Sequence, residues 1–152
     1  MARGFWLVKT EPGVYSVDDL RRDRVTAWDR VRNHQAKLFL RDGMRDGDGV
    51  LLYHSNAEPT GVMGTAVVEG GPVADETQFL RGDDAFEPRA TREAPVWWAR
   101  RLRFGRRFEA CVTLASLRAE PALAGMRLLA RGNRLSVLPV TKAEFERIER
   151  MA

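Results

Sequence analysis

Apolar residues along this chain follow two spacings, the two-residue period of strands and the wider period of helices. Residues 4–10 are β-prone and apolar on both faces, which predicts a strand inside a sheet. Residues 50–55 and 62–68 lie on either side of a Pro/Gly loop and predict an antiparallel pair, while residues 108–114 predict another strand. Gly64 predicts a bulge or a close backbone approach within its strand.

Capping residues indicate where short helices begin between these strands. Ser16 with Asp19 and Thr141 with Glu144 have the spacing of capping boxes, and Asn33 is a candidate N-cap. The predicted helices cover residues 16–22, 34–41, 114–119, a turn at 121–126, and a terminal helix after Thr141. Residues 69–95 are poorer in patterned apolar positions, which predicts an ordered excursion or a flexible loop.

The length and the cysteine content narrow the class of protein. A chain of 152 residues is most simply one domain, 1–152, that buries about two-thirds of its unfolded surface. The single cysteine, Cys111, excludes an intramolecular disulfide and fits a reducing, cytoplasmic setting. The apolar run Phe5 to Val8 is broken by Lys9 and is too short for a signal peptide or a membrane span, so no membrane partner is expected.

Basic residues point to a polyanionic partner. The formal charge is +4, and arginine, whose planar fork donates to phosphate in pairs, greatly outnumbers lysine. Residues 96–108 interleave aromatic residues with five arginines, which predicts a basic face for nucleic-acid phosphates. A solvated edge strand is the alternative. The candidate phosphate-binding residues are Arg100, Arg101, Arg103, Arg106 and Arg107.

The stretch from Trp28 to Ala36 carries the richest mixture of functional groups. Trp28 offers a flat face for stacking, while Asp29, Arg32 and Asn33 offer directional hydrogen bonds in both senses, as reading a nucleobase requires. The alternative is a turn into a helix, with Trp28 in the core, Asn33 as N-cap and solvated charges.

Polar residues also follow two of the predicted strands. Alternation places Lys9 and Glu11 on the same side at the end of the first strand, where they form a ligand contact, a proton-transfer pair or merely a surface ion pair. His54 lies at the polar end of the predicted strand 50–55, where a structural, hydrogen-bonded histidine is favoured over a catalytic base. Neither metal-ligand nor triad spacing is found, so we expect no catalytic residue, metal or cofactor.

Several separated motifs resemble the EVE domain family, in the family's order, from residue 5 to about residue 150. They are Trp6-Leu7-Val8-Lys9-Thr10-Glu11-Pro12, Tyr15-Ser16, Trp28 to Ala36, Gly47-Asp48, Tyr53-His54-Ser55, Gly61-Val62-Met63-Gly64 and Gly132-Asn133-Arg134-Leu135-Ser136-Val137.

The resemblance implies a mixed α+β fold of the PUA-like class, a partly closed β-barrel of five to six strands flanked by short helices. It also implies a non-enzymatic reader that accepts a flipped modified base, 5-methylcytosine or 5-hydroxymethylcytosine in DNA, or a modified base in RNA. Carried over by position, the base pocket comprises Lys9, Thr10, Glu11, Trp28, Asp29, Arg32, Asn33, Tyr53, His54, Ser55, Asn133, Leu135 and Ser136.

The chain departs from the family pattern at three places. Thr10 stands where the family usually has serine, and Arg30 stands where it usually has glycine, which places a bulky charge beside the pocket mouth. The pattern also differs over residues 70–90, so the rim contacts of that region are expected to be this chain's own.

Two further functions are alternatives. Small PUA-like amidohydrolases that act on acylated cytidine use lysine, threonine and glutamate, which Lys9, Thr10 and Glu11 would supply. Strand alternation opposes this, because Lys9 and Thr10 should face opposite sides. A general RNA-binding accessory domain is the second alternative. A nuclease or another restriction-type protein is a candidate partner, and the sequence leaves the oligomeric state open.

Overall fold

A mixed sheet of six strands, in the order β2-β5-β4-β3-β1-β6, organises the chain. The computed structural model describes residues 3–152. Strands β1 and β3 are parallel, and the other neighbours are antiparallel. The strands are β1 Phe5–Thr10, β2 Val25–Trp28, β3 Gly49–His54, β4 Gly61–Ala74, β5 Trp98–Thr113 and β6 Val137–Pro139. The mixed class and the predicted number of strands are confirmed, in a sheet that ends at β2 and β6 without closing.

Four short α-helices surround the sheet, and their predicted caps are present. Both capping boxes form, at Ser16 and at Thr141, and Asn33 accepts a hydrogen bond from the Ala36 N–H. A π-helical turn, Phe39–Gly43, continues the second helix. The α-helices are α1 Val17–Asp23, α2 His34–Leu38, α3 Leu114–Ala119 and α4 Lys142–Met151, with 3₁₀ turns at Glu76–Phe79, Pro121–Leu123 and Arg127–Leu129. No helix within residues 3–152 is long and apolar enough to cross a membrane.

The pairing of β4 with β5 differs most from the sequence prediction. Strand β4 continues to Ala74, through the start of the predicted excursion, and β5 begins at Trp98, well before the strand that was predicted over residues 108–114. Three register shifts along this pair let both strands stay paired over their length. The short strand β2, which the sequence did not predict, pairs with the outer edge of β5.

Gly64 explains one of these shifts. A Cβ at this position would lie 2.4 Å from the Arg106 carbonyl oxygen and 2.8 Å from Val17 Cγ2. The register also shifts beside it on both neighbouring strands. The predicted bulge and the predicted close approach are therefore both present.

The two faces of the sheet bury separate apolar cores. Trp6 and Val8 of β1 point into one core, and Phe5 and Leu7 point into the other. This alternation confirms that β1 lies inside the sheet with both faces buried. The first core includes residues of α1 and α2, and the second includes Phe145 and Ile148 of α4, so β1 lies between the two cores.

Arg100 was predicted to bind phosphate, but it is buried, with only 3% of its surface exposed. It lies opposite Pro72 at the β4 register shift, where its guanidinium donates to the carbonyl oxygens of Met44 at 2.7 Å and Arg41 at 3.2 Å. These carbonyls lie at the end of the π-helical turn and need a donor. The role of Arg100 is therefore to satisfy buried backbone groups.

We expect Arg100→Ala to lower the free energy of unfolding by about 3 kcal/mol, because it leaves buried carbonyl groups without donors. The matched control is Arg101→Ala on the same strand, where the exposed side chain should contribute less than about 0.5 kcal/mol. Urea unfolding followed by circular dichroism measures both. Equal stability of the two variants would contradict this role.

Candidate nucleic-acid interface

A cavity of about 480 Å³ opens at one end of the sheet, on the side of the first core. Its walls come from the end of β1, the turn before α1, strand β2 and the segment that leads into α2. Seven of the predicted pocket residues line it together: Lys9, Thr10, Trp28, Asp29, Arg32, Asn33 and Ser136.

Two aromatic side chains form the apolar part of this cavity. Trp28 is 8% exposed and belongs to the first core, yet one side of it borders the cavity. The Tyr15 ring meets it edge-on, with 6.1 Å between ring centroids. Both interpretations of Trp28, core residue and pocket wall, therefore hold for the same indole. Tyr15 was missing from the predicted pocket, although the Tyr15-Ser16 motif indicated it.

Hydrogen-bonding groups of opposite sense line the same cavity. Burial raises the pKa of Asp29, and the nearby charge of Asp75 adds to the shift. No other side chain within residues 3–152 donates a hydrogen bond to the Asp29 carboxylate. The Asn33 side-chain oxygen is occupied by the Ala36 N–H, which leaves its amide hydrogens as donors. Asp29 and Asn33 thus offer an acceptor and a donor beside the aromatic wall of the cavity.

Arg32 is held by the protein on the outer side of the cavity. Its guanidinium donates to Asp75 at 2.8 Å, to Thr77 Oγ1 at 3.0 Å and to the Ala85 carbonyl at 2.8 Å. Burial acts to raise the pKa of Asp75, but the hydrogen bonds from Arg32 and Thr77 outweigh it and hold that pKa below its usual value. The Arg32 guanidinium also lies 5.2 Å from the Trp97 ring centroid. Arg32 therefore braces the rim of the pocket more than it offers a free cation.

Arg30 adopts a backbone conformation that favours glycine. Its φ is 62°, its backbone N–H donates to Asp75 at 2.7 Å, and its guanidinium donates two hydrogen bonds to the Asp83 carboxylate. The positive φ gives a physical reason for the glycine that the family usually has here. In this chain the arginine instead ties the segment around Asp83 to the mouth of the cavity.

We expect Arg30→Gly to be more stable than Arg30→Ala by about 1 kcal/mol, since only glycine adopts this φ without strain. Both variants lose the pair with Asp83, so their difference isolates the backbone effect. Thermal unfolding of the two variants in parallel measures it. An alanine variant as stable as the glycine variant would contradict the assigned strain.

Three other predicted pocket residues support the strand ends instead. His54 Nε2 accepts the Val17 N–H at 3.1 Å, and burial lowers the pKa of this imidazole, so it is the structural histidine that the sequence favoured. Ser55 donates its backbone N–H to the Thr10 carbonyl. Glu11 accepts a hydrogen bond from Asn56 and forms no ion pair with Lys9, contrary to one predicted alternative.

The last three predicted pocket residues lie around the 130–136 segment. Tyr53 and Asn133 line a second cavity, which shares Lys9 with the first. Leu135 packs against the second core and donates its N–H to the Asn133 side chain at 3.3 Å. The residues that the sequence grouped into one pocket are therefore divided between two cavities, and four of them, Glu11, His54, Ser55 and Leu135, line neither.

The arginines of β5 differ in their availability. Arg101 and Arg106 are exposed, whereas Arg103 pairs with Glu69 at 3.3 Å and Arg107 pairs with Asp18 at 2.6 Å. These pairs are at the surface, where an ion pair contributes little and can be exchanged for phosphate. Arg100, being buried, lies outside this basic face.

Lys9 and Thr10 both line the first cavity, but within residues 3–152 their side chains form no hydrogen bond with each other, the contact that a lysine-activated threonine needs. Thr10 Oγ1 donates to the Tyr15 carbonyl at 2.7 Å, while Lys9 Nζ lies 5.8 Å from the centroid of the Tyr53 ring, which belongs to the opposite core. The described residues also contain no cluster of three side chains able to hold a metal ion.

The open six-stranded sheet with an aromatic cavity at its edge is an architecture of the PUA-like class. The chain belongs to the EVE domain family, whose model matches residues 4–151. Human thymocyte nuclear protein 1 is 34% identical over 160 residues, which cover 93% of this chain and 70% of that protein.

Solved structures agree with this assignment. A hypothetical protein from Leishmania major matches with a TM-score of 0.93 and 37% identity over 99% of this chain and 94% of that one. Human THYN1 protein, in complex with DNA that contains 5-methylcytosine, matches with a TM-score of 0.88 and 31% identity over 97% and 96%.

Proposed function

We propose that this EVE domain is a non-enzymatic reader of nucleic acid that accepts a flipped, modified cytosine in the cavity beside Trp28. The observation that carries the proposal is that one aromatic wall, one carboxylate acceptor and one amide donor line the same cavity. The complex of the human relative with 5-methylcytosine-containing DNA supports both the class of ligand and the choice of cytosine.

The cavity suits one extruded nucleoside. Its volume of about 480 Å³ lies within the range of small-ligand pockets. Stacking of a base on an aromatic side chain contributes about 1–3 kcal/mol, which offsets much of the cost of removing the base from a duplex. Trp28 and Tyr15 are the aromatic groups placed to supply it. Stacking is similar for every base, so discrimination must come from polar groups.

Asp29 and Asn33 match the polar edge of cytosine. The Asp29 carboxylate can accept a hydrogen bond from the exocyclic amino group of cytosine. Thymine has an acceptor oxygen at the same position, which the carboxylate would repel. The amide hydrogens of Asn33 can donate to the acceptor atoms of the same edge. A 5-methyl group adds about 1 kcal/mol through burial, so we expect selectivity over unmodified cytosine to be modest.

The decisive experiment is a fluorescence-anisotropy titration with single- and double-stranded oligonucleotides that carry cytosine, 5-methylcytosine, 5-hydroxymethylcytosine or thymine at one position, in DNA and in RNA. We expect 5-methylcytosine to bind about fivefold more tightly than cytosine. Trp28→Ala should remove this preference. Trp98→Ala, which removes a half-buried tryptophan away from the cavity, is the matched control and should retain it.

Equal affinity for every oligonucleotide, unaffected by Trp28→Ala, would contradict a base reader and favour a general RNA-binding accessory domain. Because Trp28 also packs in the core, urea unfolding of the variant must show that it is folded at the assay temperature.

Asp29→Asn should relax the choice between cytosine and thymine. An asparagine side chain carries both a donor and an acceptor, so it can face either base, whereas the carboxylate only accepts. We expect the preference for 5-methylcytosine over thymine to fall by about tenfold, mainly through tighter binding of thymine. The same titration measures it, and an unchanged preference would exclude Asp29 from base contact.

A further inference from the structure

A second cavity, of about 520 Å³, lies on the other side of the end of β1. Lys9 borders both cavities, so the two meet at this side chain. The segment after Gly132 passes from one to the other, since Asn133 lines the second cavity and Ser136 lines the first. A polymeric ligand held in the first cavity can therefore continue into the second.

The charged lining of this second cavity is entirely cationic. Lys9, Arg118 and Arg131 face it, and within residues 3–152 none of the three forms an ion pair with a carboxylate. Elsewhere on the surface, by contrast, many arginines have an acidic neighbour, as Arg22 and Arg92 do. Burial lowers the pKa of Lys9, a cost that a bound anion would relieve.

The neutral lining supplies a donor and apolar walls. The amide nitrogen of Asn133 is buried without a hydrogen-bond partner among the described residues, while the oxygen of the same side chain accepts the Leu135 N–H. An acceptor oxygen of a ligand would satisfy this donor. Tyr53 and Leu129 line the cavity as well, so it offers an apolar surface beside its cations, which suits a sugar–phosphate unit.

We propose that this cavity is a second subsite, which takes the phosphate and sugar of the nucleotide that adjoins the flipped base. Arg118 and Arg131 hold the phosphodiester, and Lys9 links the two subsites. This inference rests on the proposed function, because the two cavities are to be filled by one strand. The proposal places the tightest phosphate contacts in residues 118–133, and not at the arginines of β5.

The test is a chemical double-mutant cycle on a 5-methylcytosine oligonucleotide. In the protein, Arg118→Gln and Arg131→Gln are combined, and both residues are exposed, so folding is retained. In the DNA, each of the two linkages beside the modified base is replaced in turn by a neutral methylphosphonate. The matched control, Arg21→Gln with Arg150→Gln, removes two exposed arginines outside both cavities.

We expect the Arg118→Gln/Arg131→Gln variant to bind about tenfold more weakly, and the control less than about twofold more weakly. One of the neutral linkages should weaken binding of the original protein and have no further effect on the variant. Equal losses in variant and control, or a neutral linkage that weakens both proteins alike, would overturn the second subsite. A preference for 5-methylcytosine that persists in that case would leave the base reader intact.

If the original protein binds no oligonucleotide, the proposed function fails and inorganic phosphate becomes the probe. If phosphate shifts the amide signals of Gly132 and Asn133 in an NMR titration, and Arg118→Gln/Arg131→Gln abolishes the shifts, the cavity is a phosphate site. That result would overturn the assignment of the phosphate to a nucleic acid. The absence of such shifts would overturn the site itself.

Discussion

The candidate pocket depends on the hydrogen bonds that the buried carboxylate of Asp75 accepts. It has no exposed surface and accepts hydrogen bonds from the Arg30 backbone, the Arg32 guanidinium and the Thr77 N–H. These contacts fix the segment after Trp28 against the residues that follow β4, and so set the shape of the outer wall. Because Asp75 is fully buried, removing its charged partner would leave an uncompensated carboxylate, at a cost of up to about 3–5 kcal/mol.

The end of β1 gives the site its second constraint. Because side chains alternate along a strand, consecutive residues face opposite sides of the sheet; at its end Thr10 lines the first cavity, whereas Lys9 borders both cavities. The cavity beside Trp28 combines aromatic walls with an acceptor and a donor, whereas the cavity beside Tyr53 is cationic. A nucleotide chain, with a flat base and an anionic backbone, has both kinds of surface, and it can meet both only where the sheet ends.

Two of the chain's departures from the family pattern become understandable in this setting. Arg30 occupies a left-handed conformation and compensates with two hydrogen bonds to Asp83. Asp83 lies in the unusual 70–90 region, so the two departures form one contact at the mouth of the cavity. The rim of the cavity therefore differs from the family pattern, whereas the aromatic wall and the cap of α2 follow it.

The sequence by itself determined the family, the mixed class, the capping residues and seven of the residues that line the cavity beside Trp28, because these depend on local pattern and on motifs. Features that depend on contacts between residues distant in the sequence were decided only by the tertiary structure. The register shifts between β4 and β5 place Arg100 in a buried position, although the next residue, Arg101, is exposed. Contacts across more than 40 residues hold Arg32 against Asp75, and the predicted pocket residues that line a cavity are divided between two cavities that share Lys9. The spacing of residues along the chain does not indicate which distant carbonyl or carboxylate an arginine side chain will contact.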